Sequence, residues 1–234
     1  LNIIAVRGRG MLAQETRGTP ASFVAAALAN GVNRSNLARF VSRMVFYDGR
    51  EKFNIINELQ NGAAQGKATG FDAFDTELVE LNCDNFSPAL LASGSIPLVL
   101  DGVTHIPHAP ARTYWDGGII DYHIHWPYHR AKNLVLYPHF TDKIIPGWLD
   151  KSLPWRKAKG ARLDNVVLVS PSAEYLARLP YGKLPDRSDF KKFIDDPKAR
   201  QDYWRTAIAE SERLGQDFLD LSEGNNILPL LQAL

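Results

Sequence analysis

The tripeptide Asp116-Gly117-Gly118 is the part of this 234-residue sequence whose residue types most directly suggest chemistry. An Asp carboxylate at a tight corner could accept the proton of a serine hydroxyl and activate that serine as a nucleophile, with no histidine. The two glycines would let the backbone pass close to a substrate. Taken alone, however, Asp-Gly between Tyr114-Trp115 and Ile119-Ile120 is more typical of the two-residue turn of a β-hairpin.

Two serines upstream of this tripeptide are candidates for the nucleophile. A serine on a nucleophile elbow follows a strand and precedes a helix. The stretch Ser87–Gly94 instead has the pattern of a short helix, with serine as the cap, proline first and glycine after the end. We therefore interpret Ser93 and Ser95 as residues at the end of a helix. The pattern Gly-x-Ser-x-Gly occurs nowhere in the sequence.

Three motifs follow one another in this region: Ala92-Ser93-Gly94-Ser95-Ile96-Pro97, the Asp101-Gly102 turn and Trp115-Asp116-Gly117-Gly118. In order and rough spacing they resemble the late motif block of patatin-like phospholipases. The resemblance is most specific over residues 88–121 and extends more weakly over the first 170. It implies an α/β hydrolase-like domain that cleaves acyl esters of phospholipids or related lipids through a Ser–Asp dyad, without a cofactor.

The resemblance assigns only three residues of this chain to the site. Asp116 is the dyad base, and Gly117 and Gly118 are the motif glycines. The Gly-rich oxyanion loop and the nucleophile elbow of the family have no counterpart here. We therefore expect the C-terminal portion of a patatin-like lipid acyl hydrolase, truncated at its N-terminus and inactive as an isolated polypeptide. A sheet truncated in this way would leave a strand edge unpaired, which favours a homo-oligomer.

Histidines support an alternative. All six lie in one short window, at His105, His108, His123, His125, His129 and His139. The stretch Tyr114–Trp126 alternates as a strand does, which would place Asp121, His123 and His125 on one face. Two histidines at i and i+2 form a usable zinc geometry. A metal-binding hydrolase or a structural metal site is therefore the alternative to a site without metal, although no second cysteine or HExxH helix supports it.

Charge suggests a third, non-catalytic class, a lipid- or partner-binding module. The net charge of +1 gives no global field for nucleic acid. Residues 1–50 hold only two acidic residues, however, against seven arginines: Arg7, Arg9, Arg17, Arg34, Arg39, Arg43 and Arg50. These could attract anionic lipid head groups, or they could form a solvated helix face. Tryptophans beside basic residues also suit a membrane interface. They occur at Trp148, Lys151, Trp155, Arg156, Lys157, Lys159 and Arg162.

Strands separated by helices predict an α/β domain of three layers, with a largely parallel sheet flanked by helices. We expect one domain over residues 1–234, with a helical extension from about residue 196. The predicted strands are Leu1–Arg7, Thr76–Asn82, Tyr114–Trp126, Asn133–Tyr137 and Asn165–Ser170. The predicted helices run from Thr19-Pro20 to Asn30-Gly31, from Asn33 or Ser35 through Val45, over Ser87–Gly94, and onward from Asp196-Pro197. Lys52–Gly70 is expected to be a polar helix and loop.

The cysteine content and the lack of long apolar runs indicate the cellular compartment. The single cysteine, Cys83, excludes an internal disulfide and fits a reducing compartment. No apolar run approaches the ~20 residues that a membrane-spanning helix needs. The first residues do not have the pattern of a signal peptide. We therefore expect a cytoplasmic protein, with at most peripheral contact to a membrane.

Overall fold

The computed structural model describes residues 1–49, 72–128, 133–156, 158, 161–224 and 228–232. The chain divides into two compact units. The first contains Leu1–Val135 and Lys143–Val166, and the second contains Leu136–Asp142 and Val167–Leu234. The predicted helix and loop at 52–70 lie outside the described residues, as do Arg50, His129, Lys157 and Lys159.

The first unit is organised on a four-stranded sheet. Its strands are β1 (Asn2–Gly8), β2 (Val41–Tyr47), β3 (Thr76–Glu80) and β4 (Tyr114–Asp116), in the order β3-β2-β1-β4. Strand β2 is parallel to β3, but β1 is antiparallel to both of its neighbours. The predicted α/β class is confirmed, whereas the prediction of a largely parallel sheet is wrong for this sheet. Strand β2 begins beside the C-terminal end of β1, since Val41 pairs with Gly8.

Helices flank this sheet on both faces. They are α1 (Thr19–Val32), α2 (Phe86–Ser93) and the one-turn α3 (Gly118–Asp121). Single-turn or short 3-10 helices cover Gly10–Leu12, Arg34–Arg39, Trp148–Asp150 and Ala161–Leu163. Consecutive residues of β4 point to opposite faces, so Trp115 packs with Phe23 of α1 and Tyr114 packs with Ala89 of α2. Both β4 residues are fully buried, which fixes the strand that precedes α3.

The prediction of a helix that continues through Val45 is wrong. The chain forms a 3-10 helix over Arg34–Arg39 and then enters β2, whose first six residues are all buried. Leu37, Val41 and Val45 do repeat at helical spacing. A strand that is buried on both faces, however, also appears in the sequence as a nearly continuous apolar run.

The second unit contains a two-stranded sheet of β5 (Val135–Pro138) and β6 (Val166–Val169). Its helices are α4 (Ala173–Arg178), α5 (Ser188–Lys192) and α6 (Pro197–Glu223), with 3-10 turns at Pro180–Gly182 and Leu228–Leu230. The predicted start of the last helix is confirmed, because the Asp196 side chain accepts a hydrogen bond from the Ala199 N–H. No helix among the described residues combines the length and the apolar character needed to cross a membrane.

Candidate functional site

Asp116 lies at a corner where a strand passes directly into a helix. It is the last residue of β4, it pairs with Ala5 of β1, and α3 begins two residues later at Gly118. The hairpin interpretation is wrong, because Ile119 and Ile120 are buried helical residues rather than a returning strand. The structure therefore has the tight corner that the alternative interpretation of Asp-Gly-Gly required.

The two oxygens of the Asp116 carboxylate differ in their surroundings. Oδ1 accepts a hydrogen bond of 2.7 Å from the Gly118 N–H. Oδ2 has no hydrogen-bond partner among the residues that the structure describes. The side chain is half-buried, and this burial raises the pKa of Asp116, although the Gly118 N–H acts in the opposite direction. A carboxylate with a raised pKa and an oxygen to spare is suited to accept a proton.

The two glycines of the motif serve the corner itself. A Cβ on Gly117 would lie 2.4 Å from the carbonyl oxygen of Ile4, so only glycine lets the corner pack this closely against β1. Gly118 provides the N–H that binds Asp116. We expected the glycines to admit a substrate; for Gly117 the close neighbour is the backbone of the protein.

Both upstream serines are helix-end residues, as predicted. Ser93 is the last residue of α2. The buried Ser95 donates its hydroxyl to the carbonyl oxygen of Leu91 at 3.0 Å. The carbonyl oxygen of Ser95 in turn accepts a 3.0 Å hydrogen bond from the Asp116 N–H. Ser95 thus ties the end of α2 to the corner.

The structure does not bring the predicted metal ligands together. Asp121 is buried at the end of α3, where Arg43 binds both of its carboxylate oxygens. His123 Nδ1 accepts a hydrogen bond of 3.0 Å from the Ile145 N–H. The predicted alternating strand ends at Asp116, because the chain then forms α3 and turns at Ile124, whose φ is 41°. Within the described ranges, no three His, Cys, Asp or Glu side chains are placed to hold a metal ion.

His125 lies near the arginines rather than near a metal site. Burial lowers the pKa of His125 to about 4, and the positive charges of Arg162 and Arg34 add to this effect. The imidazole is therefore neutral at pH 7. Another of the clustered histidines, His139, belongs to the second compact unit.

Four of the six arginines that the structure describes within residues 1–50 form ion pairs inside the first unit. Arg9 contacts Asp75 at 2.8 Å, Arg34 contacts Asp150 at 3.3 Å, and Arg7 forms an ion pair with Glu77. Arg43 is completely buried. The partner carboxylates come from distant parts of the chain, so the local charge of residues 1–50 does not describe a surface.

The segment from Trp148 to Trp155, in which tryptophans lie beside basic residues, is held to the first unit at one position. Asp150 is buried and accepts a 2.9 Å hydrogen bond from the side-chain amide of Asn30, near the end of α1. Trp155, in contrast, is 68% exposed. The segment therefore combines an internal anchor with an exposed aromatic side chain.

Sequence reasoning missed the buried ion cluster around Arg43. Arg43 binds Asp121 from α3 and Asp72 from the residues before β3. One signal was present, namely a lone arginine inside the apolar run from Val41 to Tyr47. A buried arginine requires paired carboxylates.

A scan of the chain against models of protein families, a search of curated proteins and a search of solved structures each found no match.

Proposed function

We propose that Asp116 is the base of a Ser–Asp dyad and that this chain carries the carboxylate half of a lipid acyl hydrolase centre of the patatin-like type. One observation carries the proposal. At a strand-to-helix corner, Asp116 uses one oxygen to bind the Gly118 N–H and has no described partner for the other. The arrangement leaves a half-buried carboxylate with one oxygen that no described residue binds.

The chemistry of such a carboxylate follows from its geometry. A serine hydroxyl within about 2.6–3.2 Å of Oδ2 would pass its proton to Asp116 as the serine oxygen attacks the ester carbonyl carbon. Asp116 would return that proton to the departing alcohol, which leaves an acyl-serine. Asp116 would then take a proton from water as the water oxygen attacks the acyl-serine, and return it to the serine. The serine itself would come from outside the 234 residues.

An apolar surface next to the corner favours a lipid substrate. The stretch 85–100 contains no charged residue. Five of its large apolar side chains are at least half exposed, namely Leu90, Leu91, Leu98, Val99 and Leu100. This stretch reaches the corner through the hydrogen bond between Ser95 and Asp116. Exposed apolar side chains in one stretch are typical of a surface that binds an apolar partner. Peripheral contact with a lipid surface belongs to the same proposal.

The test uses the protein encoded by the complete gene. We expect it to hydrolyse p-nitrophenyl butyrate and phosphatidylcholine vesicles and to react covalently with a fluorophosphonate. Asp116→Asn should lower kcat by about 10²–10⁴-fold, because the base is lost. Asp101→Asn, which changes an exposed aspartate in the same region, should leave kcat unchanged. Hydrolysis that survives Asp116→Asn would refute the proposal, and so would hydrolysis that needs a metal ion and is insensitive to fluorophosphonate.

The 234-residue chain gives a second test. By itself it should not hydrolyse these esters, because it lacks the proposed nucleophile. Ester hydrolysis by this chain that is abolished in Asp116→Asn would show that a nucleophile lies within it. That result would keep the role of Asp116 and overturn the assignment of the serine to another segment.

A further inference from the structure

Two arginines from neighbouring elements hold the one-turn helix α3. Arg43 of β2 binds the Asp121 carboxylate with two parallel hydrogen bonds, Nε to Oδ2 at 2.6 Å and Nη2 to Oδ1 at 2.9 Å. Arg34 donates a hydrogen bond from Nη2 to the carbonyl oxygen of Ile120. Both contacts act on the C-terminal end of α3, and Asp116 lies immediately before its N-terminal end.

These arginines are themselves held in place. The completely buried Arg43 also binds Asp72, with Nη2 at 2.9 Å from Oδ2, and the Thr76 hydroxyl, with Nη1 at 3.1 Å. Arg34 binds Asp150 through Nε at 3.3 Å. A planar guanidinium whose donors are all directed at fixed acceptors sets an orientation as well as a charge. Burial lowers the pKa of Arg43, but Asp121 and Asp72 together raise it above its ordinary value, so it stays charged.

A single helical turn has no stability of its own. Isolated helices of a few residues do not persist in water, so α3 depends on tertiary contacts for its position. Gly118, the first residue of α3, supplies the N–H that binds Asp116 Oδ1. A shift of α3 therefore moves this donor away from the carboxylate.

We propose that Arg43, assisted by Arg34, is a positioning residue that places the Asp116 carboxylate by holding α3. Its consequence for catalysis rests on the proposed function, whereas its effect on the contact between Gly118 and Asp116 does not. The contact can be measured in the 234-residue chain without any activity.

Matched arginine-to-lysine changes test the proposal. Lysine keeps the charge but loses the fork of donors. Arg43→Lys is the main variant, Arg34→Lys is the weaker one and Arg7→Lys is the control. Arg7 also forms a fork, to Glu77 and to the Ser42 hydroxyl, but among the described residues it makes no hydrogen bond or ion pair to α3.

The first measurement is the NMR signal of the Gly118 amide proton in the 234-residue chain. In the wild type this signal should follow the titration of Asp116, because the amide binds its carboxylate. The dependence should be lost in Arg43→Lys, weakened in Arg34→Lys and kept in Arg7→Lys. The amides of β1 serve as an internal reference, since a general loss of stability would change their hydrogen exchange as well.

The second measurement is kinetic and uses the protein encoded by the complete gene. Arg43→Lys should lower kcat by about 100-fold through displacement of the base, with little change in KM. Arg7→Lys should leave both unchanged. If Arg43→Lys does not fold, Asp121→Asn replaces it, because it keeps Arg43 and one acceptor oxygen and weakens only the pair.

The outcomes separate the two proposals. Folded variants with a wild-type Gly118 signal and a wild-type kcat would overturn the positioning role. A complete protein without esterase activity, combined with a lost Gly118 signal in Arg43→Lys, would refute the proposed function and keep the positioning role.

Discussion

The two ends of α3 carry two carboxylates in very different states. Asp121 at the C-terminal end is buried, and Arg43 binds both of its oxygens. Asp116, just before the N-terminal end, is half-buried and is bound by one backbone N–H. Residue type and burial alone would make Asp121 the more notable of the two. Pairing with a cation, more than burial, therefore separates a structural carboxylate from one that is available for chemistry.

The same contrast appears in the electrostatics. Asp72 also faces Arg43; burial acts to raise its pKa, but the hydrogen bond and charge of Arg43 outweigh it and lower the pKa below the ordinary value. Burial without such a cation raises the pKa of Asp116.

The largest expected effect is that of Arg43→Met in the 234-residue chain. Methionine removes the cation from between Asp121 and Asp72 and leaves buried carboxylates uncompensated. The free energy of unfolding should fall by about 3–5 kcal/mol, measured by urea unfolding followed at the amides of β1. Lys198→Met breaks an exposed ion pair with Asp202 and should leave the free energy of unfolding nearly unchanged, because solvent screens exposed pairs. Equal losses in the two variants would mean that the Arg43 cluster does not stabilise the first unit.

A smaller effect is expected for Gly117→Ala at the corner. The added Cβ would meet the Ile4 backbone, which cannot move without shifting β1. Overpacking of this kind costs about 1–3 kcal/mol of unfolding free energy. In Gly118→Ala the Cβ would lie 3.0 Å from the Asp116 carboxylate oxygen, a side-chain atom that can move, so the loss should be smaller. A larger loss in Gly118→Ala would contradict the close approach of Gly117 to β1.

The smallest expected effects have opposite signs and depend on pH. The folded-state pKa of Asp116 is raised, so its favourable contribution is complete below the unfolded pKa of about 3.9 and is lost as the pH rises through the folded pKa. Asp116→Asn should therefore raise the free energy of unfolding at pH 7. The folded-state pKa of Asp72 is lowered, so its contribution is present above the unfolded pKa and is lost as the pH falls through the folded pKa. Asp72→Asn should therefore destabilise the protein at pH 7.

Urea unfolding at a series of pH values checks both signs. Each variant should approach the wild type in acid, since the wild-type carboxylates are then protonated. The same sign for both variants at pH 7 would break the distinction between a paired and an available carboxylate.

Some elements could be predicted because their causes are local. Asp196 caps α6 and Ser95 bonds back to Leu91 through contacts that span only a few residues. The predicted helix end at Ser93 and Gly94 is confirmed, but the predicted start is wrong, because α2 begins at Phe86 after Asn85 rather than after a Ser87 cap. Such short-range hydrogen bonds depend on neighbours that the sequence displays directly.

Other elements could not be predicted because their causes are distant. The apolar pattern of β2 fits a helix as well as a buried strand, and only its place between β1 and β3 decides between them. Residues 114–126 alternate as a strand does, yet the chain turns into α3 after Asp116 because Gly117 packs against β1. Asp-Gly favours a hairpin only where a second strand is available to return.

The sequence alone was enough to predict the α/β class, strands β1 and β3 and the cap of α6, and it singled out Asp116 as a candidate base. Only the tertiary structure shows that β1 is antiparallel to its neighbours and that Arg7, Arg9, Arg34 and Arg43 are paired with distant carboxylates. It also shows that, among the described residues, Asp121 has both oxygens bound and Asp116 only one. The two groups of features differ in the sequence separation of the residues that cause them. Caps and turns are set by hydrogen bonds between near neighbours, whereas strand direction and the pairing of buried charges depend on which distant segments the fold brings into contact.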